Sequence, residues 1–416
     1  MAQLAKLLVD QSASLLPDCS WLSFKPKLSR RALLRDWGRG LVSAAVVAAP
    51  IRAWGRLLFA APLELGSPVG VSISPEFVWS ESSKFLAGGA FERRSYVGVC
   101  VWEPRQSLEP RVFRGGSGEL FTLAWSPTSD CLAAGDSDSN ICIWDVEVGE
   151  RLASFNTHLF HGATQHLAWS PDGTRLAAVS VEGDCRVFNA RTGEALWERT
   201  PVLSIKYAVW SPDGRWLVLP SDAWGTLIVE ADTGRVQEVL VGDTRRGNPG
   251  GFDGGYAADW HPSGEYVAAS DRMTKVIRLW SVHDWQVLRD FRGPGLDKSC
   301  GRLRWSVDGR YLAGNIGSQI RAWHLSGTPA QNDALPVRSS WSWVWNRTGH
   351  QIVFTDGKAI RVWDVSTGAV KDLPDGQGES FWLACSPDGR MLSAVVDGAT
   401  WVFELNDRND APHILR

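Results

Sequence analysis

Three histidines in one short stretch come nearest to a chemical site in this sequence. His158, His161 and His166 lie within HLFHGATQH, a spacing that could hold a metal ion. A zinc site needs further protein ligands or a defined open position, and the stretch offers no carboxylate or Cys partner. It also falls where an outer strand pattern passes to the next inner one. We therefore expect a turn or structural role for these histidines and predict no metal site.

Other groups that could support catalysis are equally sparse. The sequence contains no phosphate-binding loop of the G-x-x-x-x-G-K-S/T type, no G-x-S-x-G elbow and no H-E-x-x-H pair. The seven cysteines form no C-x-x-C pair, and most lie in apolar runs such as NICIW, where Cys behaves as a small hydrophobic residue. We therefore predict core thiols in a reducing compartment, no catalytic residue, no cofactor and no enzymatic activity.

The composition favours a chain built from many turns. Of 416 residues, 41 are Gly and 21 are Pro, which disfavours long helices. The net charge of −3 predicts no general affinity for nucleic acid. No uncharged apolar run reaches the roughly 18 residues that a membrane-spanning helix requires. The unusual number is 23 Trp, which a repeat containing Trp would explain.

The tryptophans mark such a repeat, with a period of 40 to 50 residues. Aligned on the residue before a turn that resembles Ser-Pro-Asp-Gly, the anchors are Trp79, Trp125, Trp169, Trp210, Trp260, Trp305 and Trp345. Cys385 stands in the eighth place, and a second aromatic follows each anchor by one hairpin except in the fourth unit, where Val229 stands. A period of this length with strand patterns indicates a propeller or a similar array.

One unit shows what the repeat builds. In HLAWSPDGTRLAAVSVEGDCRVFNARTGEALW (166–197), three sets of turn residues separate four short apolar runs. Pro presets φ and Gly tolerates positive φ in such turns, so the unit predicts a four-stranded antiparallel meander. Such a sheet cannot cover its own faces, and stacking in a closed ring covers them all. We predict an all-β propeller of eight hairpin units, with eight blades or with seven and one degenerate unit.

Two stretches carry a Trp-Asp signature, ICIWDVEVGE (141–150) and IRVWDVSTGA (360–369). With them, residues 70 to 408 resemble the WD-repeat family of β-propellers. The Gly-His dipeptide that often opens such repeats is missing, so we expect most blades to lack the family's buried Asp-His-Ser-Trp network. The resemblance implies a non-enzymatic scaffold that mediates protein–protein interactions in a larger assembly.

Several roles remain open for such a scaffold. LAWSPTSDCLAAGDSDSNICIWDVE and AVWSPDGRWLV resemble the aladin-type nucleoporins, which implies a place at the nuclear pore and in nucleocytoplasmic transport. VIRLWSVHDWQVLRDF resembles WD-repeat adaptors of centrosomes and microtubules, and turns such as ARTGEAL are common in bacterial propellers, whether exported or cytosolic platforms. A hydrolytic propeller would need carboxylates clustered in the ring channel, which the sequence does not indicate.

Partner binding is predicted on one face of the ring. In a WD-type ring the turns between second and third strands share a face with the loops that join the blades, and variable loops on a rigid scaffold are common binding sites. The candidates are Arg93, Arg94, Asp138, Asp222, Trp224, Arg245, Arg246, Arg272 and Lys275. Trp224 is either packed on the rim or available to a partner, and Trp341 and Trp343 are expected to belong to the core.

Residues 1–62 do not repeat and are predicted to be a basic, partly apolar helical leader before a propeller at 63–416. The first sixty residues carry nine Lys/Arg and three Asp, a net charge of +6 that leaves −9 for the remainder. An apolar stripe at helical spacing consists of Leu33, Trp37, Leu41 and Ala45. The leader could be a helix docked on the propeller or a partner, a twin-arginine export signal at SRRALLR (29–35), or a membrane contact through residues 29–60. We favour an intracellular location, in the cytoplasm or at the nuclear envelope.

Overall fold

The computed structural model describes most of the chain between residues 63 and 405. The described residues are 63–64, 71–92, 95–157, 162–199, 205–221, 225–240, 257–271, 276–291, 300–316, 319–326, 342–347, 349–378, 380–396 and 399–405. The predicted leader helix lies outside them. The regular elements in the described part are all strands, which confirms the predicted all-β class. No helix that could cross a membrane is found among these residues.

Thirty-one strands form eight sheets, which we number as blades I to VIII. Blade I contains β2 (Val71–Trp79), β3 (Leu86–Glu92), β4 (Ser95–Glu103) and β5 (Ser107–Arg114). Blade II contains β6 (Leu120–Trp125), β7 (Cys131–Asp136), β8 (Asn140–Asp145) and β9 (Glu150–Asn156). Blade III contains β10 (Thr164–Trp169), β11 (Arg175–Ser180), β12 (Cys185–Asn189) and β13 (Ala195–Arg199). Blade IV contains β14 (Val209–Trp210), β15 (Trp216–Ser221), β16 (Gly225–Glu230) and β17 (Val236–Leu240).

The second half of the ring repeats this order. Blade V contains β18 (Ala258–Trp260), β19 (Tyr266–Asp271), β20 (Val276–Ser281) and β21 (Val287–Phe291). Blade VI has three described strands, β22 (Cys300–Trp305), β23 (Tyr311–Ile316) and β24 (Gln319–His324). Blade VII contains β25 (Trp343–Trp345), β26 (Gln351–Thr355), β27 (Ala359–Asp364) and β28 (Val370–Gln377). Blade VIII contains β29 (Ser380–Cys385), β30 (Met391–Val396), β31 (Ala399–Glu404) and β1 (Leu63–Glu64).

Each blade is an antiparallel meander whose order follows from short turns. In blade III, β10 pairs with β11, β11 with β12 and β12 with β13, so the stretch read as one unit in the sequence is one sheet. The turn between β10 and β11 contains Gly173 at φ 71°, a conformation that glycine adopts without steric cost. Trp169 then lies opposite Leu176, at the end of the hairpin.

The ring is closed by the first strand. β1 pairs antiparallel with β31, with Leu63 opposite Val402 and Glu64 opposite Trp401. It therefore supplies the outermost strand of blade VIII, whose other three strands come from residues 380–404. Eight sheets confirm the eight-blade prediction and exclude seven blades with a degenerate unit.

The anchor tryptophans join neighbouring blades through their indole nitrogens. Six of them donate a hydrogen bond to the backbone oxygen of the residue just before the anchor position of the preceding blade. These bonds run from Trp79 to Ala384, Trp125 to Val78, Trp169 to Ala124, Trp210 to Ala168, Trp260 to Val209 and Trp345 to Arg304, with lengths between 2.9 and 3.1 Å. Blade VI departs because the indole nitrogen of Trp305 has no partner, and blade VIII because Cys385 has no indole.

In six of the eight units the second aromatic fills the wedge between blades, whereas Trp280 of blade V is only partly buried. Six of these aromatic side chains are no more than 2 % exposed: Trp102, Trp144, Phe188, Trp323, Trp363 and Phe403. Val229 is fully buried at the same place in blade IV. Burying one indole removes on the order of 200 Å² from water, about 5 kcal/mol before the entropic cost of ordering the chain. Trp343 is fully buried, as expected, and Trp341 lies outside the described residues.

Five cysteines contribute free thiols to these cores. Cys100, Cys142 and Cys185 are buried, and Cys131 and Cys385 are partly buried. Burial raises the pKa of the Cys100 and Cys385 thiols to about 12, so both stay protonated at neutral pH. The expectation that cysteines act as small core residues therefore holds for this part of the chain.

Candidate binding surfaces

The antiparallel strand order gives the ring two different faces. The lower face is the side that carries the turns between first and second strands and between third and fourth strands. The upper face is the side with the second-to-third turns and the connections between blades. The channel is the space enclosed by the first strands of the blades.

On the lower face, polar groups join the blades to one another. The backbone amide of Asp388 in blade VIII donates a hydrogen bond to Ser83 Oγ of blade I at 2.8 Å. The Asp388 carboxylate forms an ion pair with Arg105, also of blade I, at 2.8 Å. Burial disfavours the ionised form, but hydrogen bonds from Ser386, the Arg390 amide and Arg105 outweigh it and lower the pKa of Asp388. Because such groups already have partners within the ring, the lower face is less available for binding.

Of the nine residues predicted for the partner-binding face, the structure describes Asp138. It lies exposed on the upper face, in the turn between β7 and β8, and its Oδ2 accepts a hydrogen bond from Ser117 Oγ at 2.7 Å. The other eight lie outside the described residues: Arg93, Arg94, Asp222, Trp224, Arg245, Arg246, Arg272 and Lys275. For these residues the binding face stays a prediction.

The turn that carries Asp138 is organised by the buried carboxylate of Asp136, which is 2 % exposed. Its oxygens accept hydrogen bonds from the backbone amides of Ser117, Gly118, Asp138 and Asn140, and from the Asn140 side chain. These donors satisfy a carboxylate that would be costly to bury alone. No histidine takes part, which agrees with the absence of the Gly-His dipeptide at this repeat start.

A polar cluster that the sequence did not reveal lies on the first strands of blades III to VI, along one arc of the ring. Side chains alternate along a strand, so the residues one and three places before each anchor share one side of the first strand. One place before the anchor, six units carry Ala or Val, whereas blades V and VI carry Asp259 and Arg304. Three places before it, blades III, IV and VI carry His166, Tyr207 and Arg302.

The carboxylate of Asp259 connects blades V and VI. Its Oδ2 accepts a hydrogen bond from the Trp305 amide at 2.9 Å, and its Oδ1 lies 3.8 Å from Arg304 Nη1. Burial raises the pKa of Asp259, while Arg304 and two backbone amides act against the rise. The Arg302 guanidinium donates to the Trp343 carbonyl at 3.0 Å, and burial together with repulsion from Arg304 lowers its pKa to about 10.

His166 completes the cluster as a neutral imidazole. Burial, with the nearby positive charge of Arg304, lowers its pKa to about 4, and its Nδ1 has no hydrogen-bond partner. Its ring lies 5.9 Å from that of Tyr207, whose hydroxyl accepts a hydrogen bond from the Ala258 amide at 2.8 Å. His166 lies in β10 and not in a turn, and its expected structural role stays a prediction, whereas His158 and His161 lie outside the described residues.

The cluster combines one carboxylate, Asp259, with two guanidinium groups, an imidazole and a phenol. Within the described part of the chain, no group of three His, Cys, Asp or Glu is arranged to hold a metal ion. A comparison of equivalent repeat positions, where Asp259 and Arg304 replace Ala or Val, would have revealed the cluster.

Two exposed aromatics lie near the upper end of the channel. Trp382, in the first strand of blade VIII, is 47 % exposed and has a φ of 53°, within a bulge between Phe381 and Ala384. Phe121, in the first strand of blade II, is 40 % exposed beside a bulge between Leu120 and Thr122. A bulky residue at positive φ is strained, and such residues often cluster at functional sites.

Eight antiparallel meanders closed by the first strand define this protein as an eight-bladed β-propeller. Solved structures share the fold. The C-terminal WD40 domain of Sif2 has a TM-score of 0.62 at 15% identity, over 84% of this chain and 99% of that one. The computationally designed protein Ika8 has a TM-score of 0.63 at 18% identity, over 83% of this chain and 100% of that one.

The sequence comparisons find WD repeats in part of the chain. The model of the WD domain, G-beta repeat, matches residues 109–145 and 149–189. Taken with the repeat and the fold, these matches support a WD-repeat β-propeller.

Its curated relatives match parts of the chain. The F-box-like/WD repeat-containing protein TBL1Y of Homo sapiens is 29% identical over 142 residues, 30% of this chain and 27% of the relative. Eukaryotic translation initiation factor 3 subunit I of Pyricularia oryzae is 33% identical over 82 residues, 20% of this chain and 23% of the relative. THO complex subunit 3 of Arabidopsis thaliana is 19% identical over 236 residues, 56% of this chain and 70% of the relative. The chain thus matches only about a quarter of the length of the first two.

Proposed function

We propose that this protein is a non-enzymatic scaffold that binds another protein on its upper face, around the mouth of the channel. The observation that carries the proposal is Trp382, a half-exposed tryptophan held at a φ of 53°. Partly exposed tryptophans supply a large share of binding energy in protein interfaces. A partner that covers Trp382 would use an aromatic group that contributes little to the core.

Other features of the ring support this surface. Phe121 adds a second exposed aromatic near the same end of the channel, and the arc formed by Asp259, Arg302 and Arg304 offers polar partners inside it. The lower face, in contrast, uses groups such as Asp388 to join blades. Exposed apolar groups beside polar ones are typical of protein interfaces.

The role we propose is that of a subunit in a larger intracellular assembly. Two relatives are named as subunits of such assemblies, THO complex subunit 3 and translation initiation factor 3 subunit I. The free buried thiols of the ring agree with a reducing compartment. Residence at the nuclear pore rests on the resemblance to aladin-type nucleoporins alone.

The test is quantitative affinity purification from a native-like host. Full-length wild type, Trp382→Ala and Phe121→Ala are compared with Leu288→Ala, a control on the outermost strand of blade V that is 52 % exposed. We expect a defined set of proteins to co-purify with wild type and Leu288→Ala and to fall at least tenfold with Trp382→Ala. Equal recovery with all four proteins would refute the proposed surface.

The leader distinguishes the remaining alternatives. We propose that residues 1–62 stay attached and act as a second docking element, and intact mass of the mature chain tests this. An uncleaved chain contradicts twin-arginine export. Cleavage between about residues 44 and 62 would place the propeller outside the cytosol and refute both the nuclear-pore role and the intracellular assembly.

A further inference from the structure

A groove opens on the outer circumference of the ring, between blades I and II. It is lined by Arg111, Phe113 and Arg114 of β5, Trp144 of β8, and Gly149 and Arg151 at the start of β9, and its volume is about 520 Å³. Ligand pockets typically measure roughly 300 to 1,000 Å³. The lining residues lie on third and fourth strands and in the turn between β8 and β9, so this groove is a different surface from the channel mouth.

The floor of the groove is aromatic and rigid. Phe113 and Trp144 meet edge to face, with ring centroids 6.4 Å apart, and both side chains are largely buried. The Arg111 guanidinium lies 5.5 Å from the Phe113 centroid and 5.6 Å from that of Phe85. Cation–π contacts of this kind hold the guanidinium in place while its N–H groups stay available to a ligand.

The rim of the groove is cationic. Arg111, Arg114 and Arg151 are all exposed, and among the described residues Arg111 and Arg151 form no ion pair. Val148 and Leu152, next to this rim, are 67 % and 53 % exposed, so apolar groups are also available to a ligand. These three arginines make the groove locally positive, although the chain beyond the first sixty residues has a net charge of −9.

We propose that this groove binds a short acidic segment of a partner protein. Its Asp or Glu side chains would pair with Arg111 and Arg151, since guanidinium groups bind carboxylates in a bidentate manner. One apolar side chain of the segment would contact the floor formed by Phe113 and Trp144. The leader of this chain, with a net charge of +6 in its first sixty residues, has the wrong sign to occupy the groove. The proposal goes beyond the scaffold function of the upper face and does not depend on it.

An array of eight-residue peptides tests the proposal. Each peptide carries Asp or Glu at four positions and Leu, Phe, Val or Trp between them, and each has a counterpart in which Asn and Gln replace the acids. The full-length chain is applied to the array, and the best acidic peptides are labelled with fluorescein and titrated by fluorescence polarisation. The variants are Arg111→Gln/Arg151→Gln and, as a matched control, Arg191→Gln, an exposed arginine in blade III.

We expect acidic peptides to bind at least tenfold more tightly than their neutral counterparts, with an affinity that falls as salt is added. The double variant should lose at least tenfold in affinity, while Arg191→Gln binds as wild type does. Both exposed substitutions should leave the melting temperature nearly unchanged. Equal binding of acidic and neutral peptides, or an unchanged affinity in the double variant, would overturn the proposal. So would displacement of the peptide by a single-stranded oligonucleotide at equal charge. Trp382→Ala should bind the peptide normally, which separates this test from that of the upper face.

Discussion

The indole nitrogen of Trp79 donates a hydrogen bond to the carbonyl of Ala384 at 3.0 Å, across 305 positions of the sequence. A second acceptor, Ser393 Oγ, lies 3.2 Å from the same nitrogen. Five of the other anchors make the same kind of bond to the blade before them, so the contact at Trp79 links blade I to blade VIII as if they were consecutive. Together with the pairing of β1 and β31, it holds the two ends of the ring together.

Substitution of this anchor should destabilise the ring more than substitution of its counterpart in blade VI. Trp79→Phe and Trp305→Phe remove similar buried ring area, because the side chains are 7 % and 6 % exposed. Only Trp79 loses a hydrogen bond, because the Trp305 indole nitrogen has no partner. We expect Trp79→Phe to cost about 1 to 2 kcal/mol more in the free energy of unfolding, measured by urea titration. Equal costs would show that the indole bond does not contribute to closure.

His166 should make the stability of the propeller fall in acid. Its pKa is lowered to about 4 in the folded state, whereas an unperturbed histidine titrates near 6.5. The unfolded chain therefore binds more protons between these values, and stability is lost as pH falls from about 6.5 to about 4. The loss should be at most about 3 kcal/mol and should shrink in His166→Gln. Urea unfolding at several pH values measures it, with the exposed His283→Gln as control. An identical pH profile for wild type and His166→Gln would contradict the prediction.

Asp259 should make the stability of the propeller change with pH in the opposite direction, over part of the same pH range. Burial raises its folded-state pKa, so the stability that it contributes is present below about 3.9 and is lost as pH rises through the raised pKa. Asp259→Asn removes this loss of stability at higher pH, and its side-chain oxygen can still accept the hydrogen bond from the Trp305 amide. We expect the variant to gain stability relative to wild type between pH 4 and pH 7, by about 1.4 kcal/mol for each unit of raised pKa. Glu182→Gln, at an exposed position of blade III, is the control. A constant difference across this range would contradict the assignment.

The repeat made the ring predictable, but not its closure or its channel. A Trp recurring every 40 to 50 residues, with Cys385 in the eighth place, reveals eight units, because most wedges between blades need the same large side chain. The pairing of Leu63 and Glu64 with β31 involves two residues without a pattern, and its partner lies at the far end of the chain. Asp259 and Arg304 break no local rule of strand formation, so they stand out only when the aligned units are compared position by position. Bulges such as the one at Trp382 depend on tertiary packing and leave no signal in strand periodicity.

We expect the Trp382 side chain to contribute to binding more than to stability. A comparison with a second tryptophan, Trp285, tests this. Trp382 and Trp285 both adopt left-handed backbone conformations, with φ of 53° and 56°. Trp285 packs edge to face on Trp216 at 6.1 Å and joins the core of blades IV and V, whereas Trp382 is 47 % exposed. Glycine relieves the strain of a positive φ, worth about 1 to 3 kcal/mol, at an entropic cost in the unfolded chain of up to about 1 kcal/mol. For Trp382→Gly the relief should offset most of the loss of packing, which is about 2.5 kcal/mol for a half-buried indole, so we expect a melting temperature close to that of wild type. Trp285→Gly loses an aromatic contact and should melt lower, although its backbone gains the same relief. Differential scanning calorimetry measures both variants. A Trp382→Gly protein that melts well below wild type would show that this side chain belongs to the core. The proposal of partner binding at the channel mouth would then lose the observation that carries it.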